Sequence, residues 1–197
     1  AASAVIEGGQ TMNPSTEDII KAIEEIGAEK VLILPNNKNV IMAAEQAADV
    51  LSIEAAVVPT KSVPEGLAAI LAFNPEATVE KNAQTMKEAA SSVKTGQVTY
   101  AVRDTSIDGV TIQKDDFIGI AQGKITSSAP SLDDVTKSLA ASLIDEDDEI
   151  VTIIYGEDVA SDEAEKIAAY IEEQFDFVDV ELYAGKQPLY PYILSVE

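Results

Sequence analysis

Three short apolar runs punctuate the first half of the chain, and each is followed by a polar loop and then by residues of helical period. Ala4 to Ile6, Val31 to Leu34 and Ala55 to Val58 are continuous rather than alternating, as strands are when a parallel sheet is covered on both faces. The loops after them are Glu7-Gly8-Gly9-Gln10-Thr11-Met12-Asn13-Pro14-Ser15-Thr16, Pro35-Asn36-Asn37-Lys38-Asn39 and Pro59-Thr60-Lys61-Ser62-Val63-Pro64. With the strands paired in parallel, these loops gather at the carboxyl ends, where open α/β sheets usually meet ligands and partners. Asn13-Pro14, or Ser15 with Asp18, starts a helix whose apolar face is Ile19, Ile20, Ile23 and Ile26, and Gly27 stops it. Val40, Ala43, Ala44, Ala47, Ala48 and Leu51 give a second helix a small-residue face. Ser62 with Glu65 fits a capping box for a third helix, running through Leu67, Ile70 and Leu71 to Asn74-Pro75. A fourth spans about Thr78 to Val93, closed by Gly96.

The pattern then changes. Val98, Tyr100 and Val102 alternate with polar residues, Asp108-Gly109 is a tight-turn pair, and Phe117 to Ala121, Gln122-Gly123 and Lys124-Ile125 read as a further hairpin. Ser131 with Asp134 opens a helix bearing Leu132, Val135, Leu139 and Leu143. Strands are expected at Ile150 to Tyr155, Val178 to Tyr183 and about Tyr192 to Val196, with a helix through Ala164, Ile167, Ala168, Ile171 and Phe175 between the first two. The expected fold class is α/β in two subdomains. Residues 1–95 form an open, mainly parallel sheet with helices on both faces, and residues 96–197 a mixed α/β lobe with antiparallel hairpins.

Composition narrows the chemistry. The 197 residues, 46% of them hydrophobic, can bury a real core. No apolar run approaches the roughly 18 residues that cross a bilayer, and no signal peptide is recognisable, so a soluble, cytoplasmic chain is expected. The first strand begins almost at once, after Ala1 to Ala4 and without a methionine start, as in a domain excised from something longer. There is no cysteine and no histidine, which removes disulfides, thiolate and imidazole metal ligands, cysteine nucleophiles and the commonest general base. A net charge of −22 repels phosphate backbones and anionic lipid, so nucleic acid and membrane insertion are not expected. A basic protein partner would be attracted, although acidity also simply keeps a domain soluble.

The candidate residues lie mostly on the predicted rim. Gly8-Gly9 before a helix looks like a phosphate cradle or a sharp turn, and matches neither a dinucleotide fingerprint nor a Walker sequence. Lys38 and Lys61 place two of only 13 cations there. Asn36, Asn37 and Asn39 cap the following helix or offer amides to a partner. The run Asp145 to Glu149 reads as a solvated connector or a divalent-cation ligand set. Gly185-Lys186-Gln187-Pro188-Leu189-Tyr190-Pro191-Tyr192 concentrates tyrosine and proline in a connector, as an interaction surface or as packing over the sheet end. The residues assigned to partner binding are Gln10, Asn37, Lys38, Asn39, Lys61, Tyr190 and Tyr192. None is assigned to catalysis, a cofactor or a metal.

The runs Ile6 to Thr16, Val31 to Asn39, Val57 to Lys61, Val98 to Asp104, Lys114 to Phe117 and Gly185 to Tyr192 carry a resemblance over nearly the whole chain. It resembles the C-terminal region of the large, ATP-binding subunit of bacterial fatty acid kinase, a DAK2-domain, dihydroxyacetone-kinase-like family, and is remotely similar to the DegV fold. The resemblance implies ATP and magnesium on a separate N-terminal domain, and a DegV-like partner carrying the fatty acid that becomes an acyl phosphate for phospholipid synthesis. The N-terminal acidic nucleotide motif and the middle domain's histidines and cysteine have no counterpart here. The expectation is a non-catalytic docking domain, contacting the fatty-acid carrier and the rest of its own kinase chain. The alternatives are a small-ligand domain for a phosphorylated metabolite or lipid, and an independent phosphatase or kinase.

Overall fold

A computed structural model describes residues 2–8 and 12–197. The chain divides into two compact units, Ala1–Val93 and Lys94–Glu197. The first contains α1 (Thr16–Ile26), β1 (Lys30–Ile33), α2 (Ile41–Val50), β2 (Glu54–Val57), α3 (Val63–Leu71) and α4 (Val79–Ser92). The second contains β3 (Lys94–Tyr100), β4 (Thr105–Ile107), β5 (Val110–Ile112), β6 (Phe117–Ala121), β7 (Lys124–Ala129), α5 (Leu132–Leu143), β8 (Ile150–Tyr155), α6 (Ser161–Gln174), β9 (Asp179–Ala184) and β10 (Tyr192–Val196).

In the first unit, β1 and β2 pair in parallel, Lys30 opposite Glu54 through Ile33 opposite Val57. Side chains alternate across such a pair. Val31, Ile33 and Val57 pack with Ile19, Ile23, Ala44 and Ala47 of α1 and α2. Leu32, Leu34 and Val58 pack with Ala69, Met86 and Ala90 of α3 and α4. Both faces of the sheet are therefore covered by helices, which is why the strands read as unbroken apolar runs. The helix starts follow side-chain caps: Ser15 and Asp18 form a reciprocal box, and the hydroxyls of Ser62 and Thr78 accept from the backbone N–H groups of Glu65 and Lys81. Each cap is worth about 1 kcal/mol. The hydrogen bonds from Ser15 also hold the Asp18 carboxyl below its ordinary range.

Two expectations for this half need correction. Ala4 to Ile6 form no strand, and Val5 is 81% exposed, so among the described residues the open parallel sheet has only two strands. Three apolar residues running straight into Glu7 and glycine offer too short a ladder to bury either face. Nor does Gly96 close α4. The helix ends at Ser92, and after Val93 the chain enters β3, where Gly96 is a buried strand residue opposite Leu194 and Ala121.

The second unit is a six-stranded mixed sheet in the order β7-β6-β3-β10-β8-β9. Its pairs are antiparallel except β8 with β9, which run parallel. The two expected hairpin turns are present, with Asp108, Gly109, Gln122 and Gly123 all at positive φ, as two-residue turns between twisted strands require. The small β4–β5 sheet stands apart in pairing. Strand β10 lies between β3 and β8, and all five of its residues are buried. With Val98, Leu139, Val151, Ile153, Ala164, Ile167 and Ile171, its Tyr192, Leu194 and Val196 form the main core.

The acidic connector is only partly solvated. Asp148 is buried and accepts from Lys94 Nζ at 2.6 Å and from the Asp145 backbone N–H at 2.6 Å, while the exposed Asp145 carboxylate takes a second Lys94 contact at 3.0 Å. Desolvation works against the Lys94 ammonium, but its hydrogen bonds to Asp148 and Asp145 outweigh that and raise its pKa. Lys94→Met leaves a buried carboxylate without its cation and is expected to lower unfolding free energy by about 2 kcal/mol in urea titrations. Asp145→Asn, at an exposed partner, should change it by less than about 0.5 kcal/mol.

Burial, followed by the nearby carboxylates of Glu163 and Asp133, pushes the Tyr192 phenol from 10.0 up to about 12. A folded-state pKa above the unfolded one means stability that is intact below the unfolded value and is lost as pH rises through the folded one. Lys94 contributes with the same sign. Tyr192→Phe is therefore expected to flatten, though not abolish, the fall in stability between pH 10 and pH 12, measured by urea unfolding across that range.

Candidate functional site

The parallel register sets the ends of β1 and β2 side by side, so the loops that follow them meet. Asn36, at φ 54°, donates its backbone N–H to Thr60 Oγ1 at 3.0 Å, and the Thr60 hydroxyl donates back to Asn36 Oδ1 at 2.8 Å. Thr60 is fully buried. The Asn36 side chain lies against the bare Cα of Gly66 in α3, where any Cβ would collide with its Oδ1. Asn37 accepts from the Asn39 backbone N–H at 2.9 Å and donates its amide to Asn13 Oδ1 at 3.3 Å. Segments around residues 13, 36 and 60 are thus linked into one rim. Its asparagines and threonine are engaged with one another, which leaves fewer polar groups for a small ligand.

The cations differ. Lys38 and Lys61 are exposed, and among the described residues neither ammonium joins an ion pair. The Lys61 backbone N–H donates to the Glu65 carboxylate at 2.7 Å, fixing where the lysine leaves the chain. Asn39 is also exposed, whereas Asn37 is half-buried. Gln10, and with it Gly9 of the glycine pair, lies outside the described residues. Among the described residues, no group of three or more acidic side chains is arranged to hold a metal ion.

An apolar surface begins where this rim ends. Helix α3 buries Pro64, Gly66 and Ala69 and leaves Val63, Leu67 and Leu71 exposed at 42%, 48% and 88%, with Phe73 at 48% just beyond. Positions i, i+4 and i+8 share one side of a helix, so these residues form a stripe starting two residues after Lys61. Hydrophobicity alone places Leu67 and Leu71 in the core, and the structure corrects this. The helix is apolar on nearly every side, so periodicity cannot choose a face, and the close approach of Asn36 and α4 selects the small residues.

The tyrosine-rich connector splits between surface and core. Tyr190 lines a groove in the second unit, while Tyr192 is 1% exposed and belongs to the core strand β10. A buried phenol inside a sheet offers no surface, so the assignment of Tyr192 to partner contact is not supported by its position. The signal for this is in the sequence, since Tyr192-Ile193-Leu194 opens an apolar run that a central strand needs.

The family model FakA-like, C-terminal, which describes one component of fatty acid kinase, matches residues 1–197. The chain is 53% identical over 196 residues to Protein YloV of Bacillus subtilis (strain 168), covering 100% of this chain and 35% of that protein. It is 47% identical over 196 residues to an uncharacterized protein of Staphylococcus aureus (strain USA300), covering 100% and 36%. It thus spans about a third of the length of these relatives. Among solved structures, the Streptococcus pneumoniae Fatty Acid Kinase (Fak) B3 protein loaded with linoleic acid aligns with a TM-score of 0.66 at 11% identity, covering 93% of this chain and 76% of that one. A DegV family protein, Cg2579 from Corynebacterium glutamicum, gives 0.63 at 13% identity, covering 98% and 86%. The dihydroxyacetone kinase of C. freundii gives 0.55 at 14%, covering 93% and 41%. At these identities the likeness is one of fold. The full-length family match and the 53% identity to a relative establish that the chain belongs to the FakA-like C-terminal family of fatty acid kinase components.

Proposed function

We propose that this chain is the docking domain of a fatty acid kinase, binding a DegV-like fatty-acid carrier so that kinase domains elsewhere on the longer protein can phosphorylate the bound acid. The observation that carries this reading is the exposed apolar stripe of α3, Val63, Leu67, Leu71 and Phe73. It is continuous with a rim where Lys38 and Lys61 join no ion pair among the described residues. Apolar area with a few charges at its margin is the usual make-up of a transient protein interface. The absence of histidine and cysteine favours a supporting role over a bond-making one. The name of the aligned pneumococcal protein, a fatty acid kinase component loaded with linoleic acid, supplies the class of partner. Such a carrier would present an apolar patch with a carboxylate in reach of Lys61.

The test is calorimetry and co-elution of the chain with a DegV-like carrier from the same organism. Leu67→Asp and Lys61→Glu are each expected to weaken binding at least tenfold without lowering the melting temperature, because both side chains are already in solvent. Only the lysine effect should shrink at high salt. Absence of heat and of co-elution with wild type would overturn the docking reading. Binding that ignores both substitutions would displace it from α3.

A further inference from the structure

In the second unit, the carboxyl ends of β3 and β8 open onto a groove with a volume of about 250 Å³. Its walls include Tyr100, Phe117, Leu189, Tyr190, Gln187 and Asp158, and among the described residues no lysine or arginine lines it. Asp158 is exposed and enters no hydrogen bond or ion pair with any described residue. A groove of aromatic and aliphatic walls with one unengaged carboxylate has the chemistry of a cation receptor. Ring faces attract a cation through their quadrupole, and the carboxylate supplies the charge and the hydrogen-bond acceptors.

The groove is built in advance rather than formed by loose side chains. The strap over it, residues 185–191, is fastened to both strands. Gln187 donates its amide to Ile154 O at 3.0 Å and to Tyr190 O at 3.1 Å, Thr99 Oγ1 donates to Leu189 O at 2.9 Å, and Gly156 N–H donates to Pro191 O at 2.9 Å. The strap passes so close to Gly156 that a Cβ there would meet Tyr190 O at 2.7 Å and Gln187 O at 2.8 Å. It also holds Leu189 at φ 67°, a left-handed conformation that costs a bulky residue free energy and persists only where neighbours enforce it. That strained leucine is one of the groove's walls.

The unit already contains the same arrangement with its cation in place. Lys137 Nζ is 2.7 Å from Asp133 and sits 4.6 Å from the centroid of the Tyr170 ring. The groove repeats the carboxylate and the rings and lacks the cation. The unit is also short of cations of its own, since it carries 22 of the chain's 35 acidic residues against 7 of its 13 basic ones.

We propose that this groove receives a single arginine side chain presented by a protein partner. Arginine fits better than lysine because its planar guanidinium stacks on a ring while its fork reaches a carboxylate. The acidic surroundings speed the approach of a basic partner and disfavour an acidic one. This site lies in the second unit and stands independently of the α3 surface.

The experiment follows backbone amide resonances of the full chain during titration with N-acetyl-arginine amide, and in parallel with the neutral, apolar N-acetyl-norleucine amide. Arginine should give saturable shifts confined to Gly156, Asp158, Gln187 and their neighbours, and norleucine should bind at least tenfold more weakly. Asp158→Asn should weaken arginine at least tenfold with the rest of the spectrum unchanged. Tyr100→Leu, which keeps the apolar wall and removes a ring, should weaken it several-fold. Equal affinity for norleucine, indifference to Asp158→Asn, or shifts spread over the acidic faces of α5 and α6 would each overturn the proposal.

Discussion

Parallel strand pairing is the constraint that shapes both units. Two parallel neighbours cannot be joined by a tight turn, so the chain must cross over, and in this molecule it does so through a helix each time. In the first unit the path is β1, α2, β2, and in the second it is β8, α6, β9. Every such crossover leaves a loop at the carboxyl end of its first strand. Asn36 to Asn39 occupy that position after β1, and Gly156 to Val159 occupy it after β8. The rim and the groove are therefore the same topological feature met twice, decorated with amides and lysines in one case and with rings and a carboxylate in the other.

Much of this was legible because the signals are local. Ser15 with Asp18, Ser62 with Glu65 and Ser131 with Asp134 mark helix starts that the structure places where the sequence does, since a cap needs only residues three apart. The hairpins at Asp108-Gly109 and Gln122-Gly123 are equally local. The convergence of the loops after β1 and β2 followed from two apolar runs alone, and the Asn36–Thr60 bonds realise it.

What escaped the sequence depended on distant partners. The exposed side of α3 is decided by Asn36 and α4, and nothing within the helix distinguishes Leu67 from Ala69 as a core residue. The acidic run hid Asp148, whose burial is set by Lys94, a residue far away in sequence. Tyr192 shares a proline- and tyrosine-rich stretch with Tyr190, yet one faces the groove and the other fills the core, because β10 begins between them. Ala4 to Ile6 read as a strand by hydropathy, but hydropathy does not supply a neighbouring ladder to join.

The placement of β10 has a consequence for biosynthesis. Its neighbours β3 and β8 are made earlier on the ribosome, and each must wait with an apolar edge and unpaired amides until β10 is delivered between them. Such waiting edges are sticky, and pairings between segments so far apart form slowly. Nascent chains of this unit would be natural clients for chaperones that shield unpaired strands. Removing a handful of residues at β10 would yield an aggregating polypeptide rather than a slightly weakened fold.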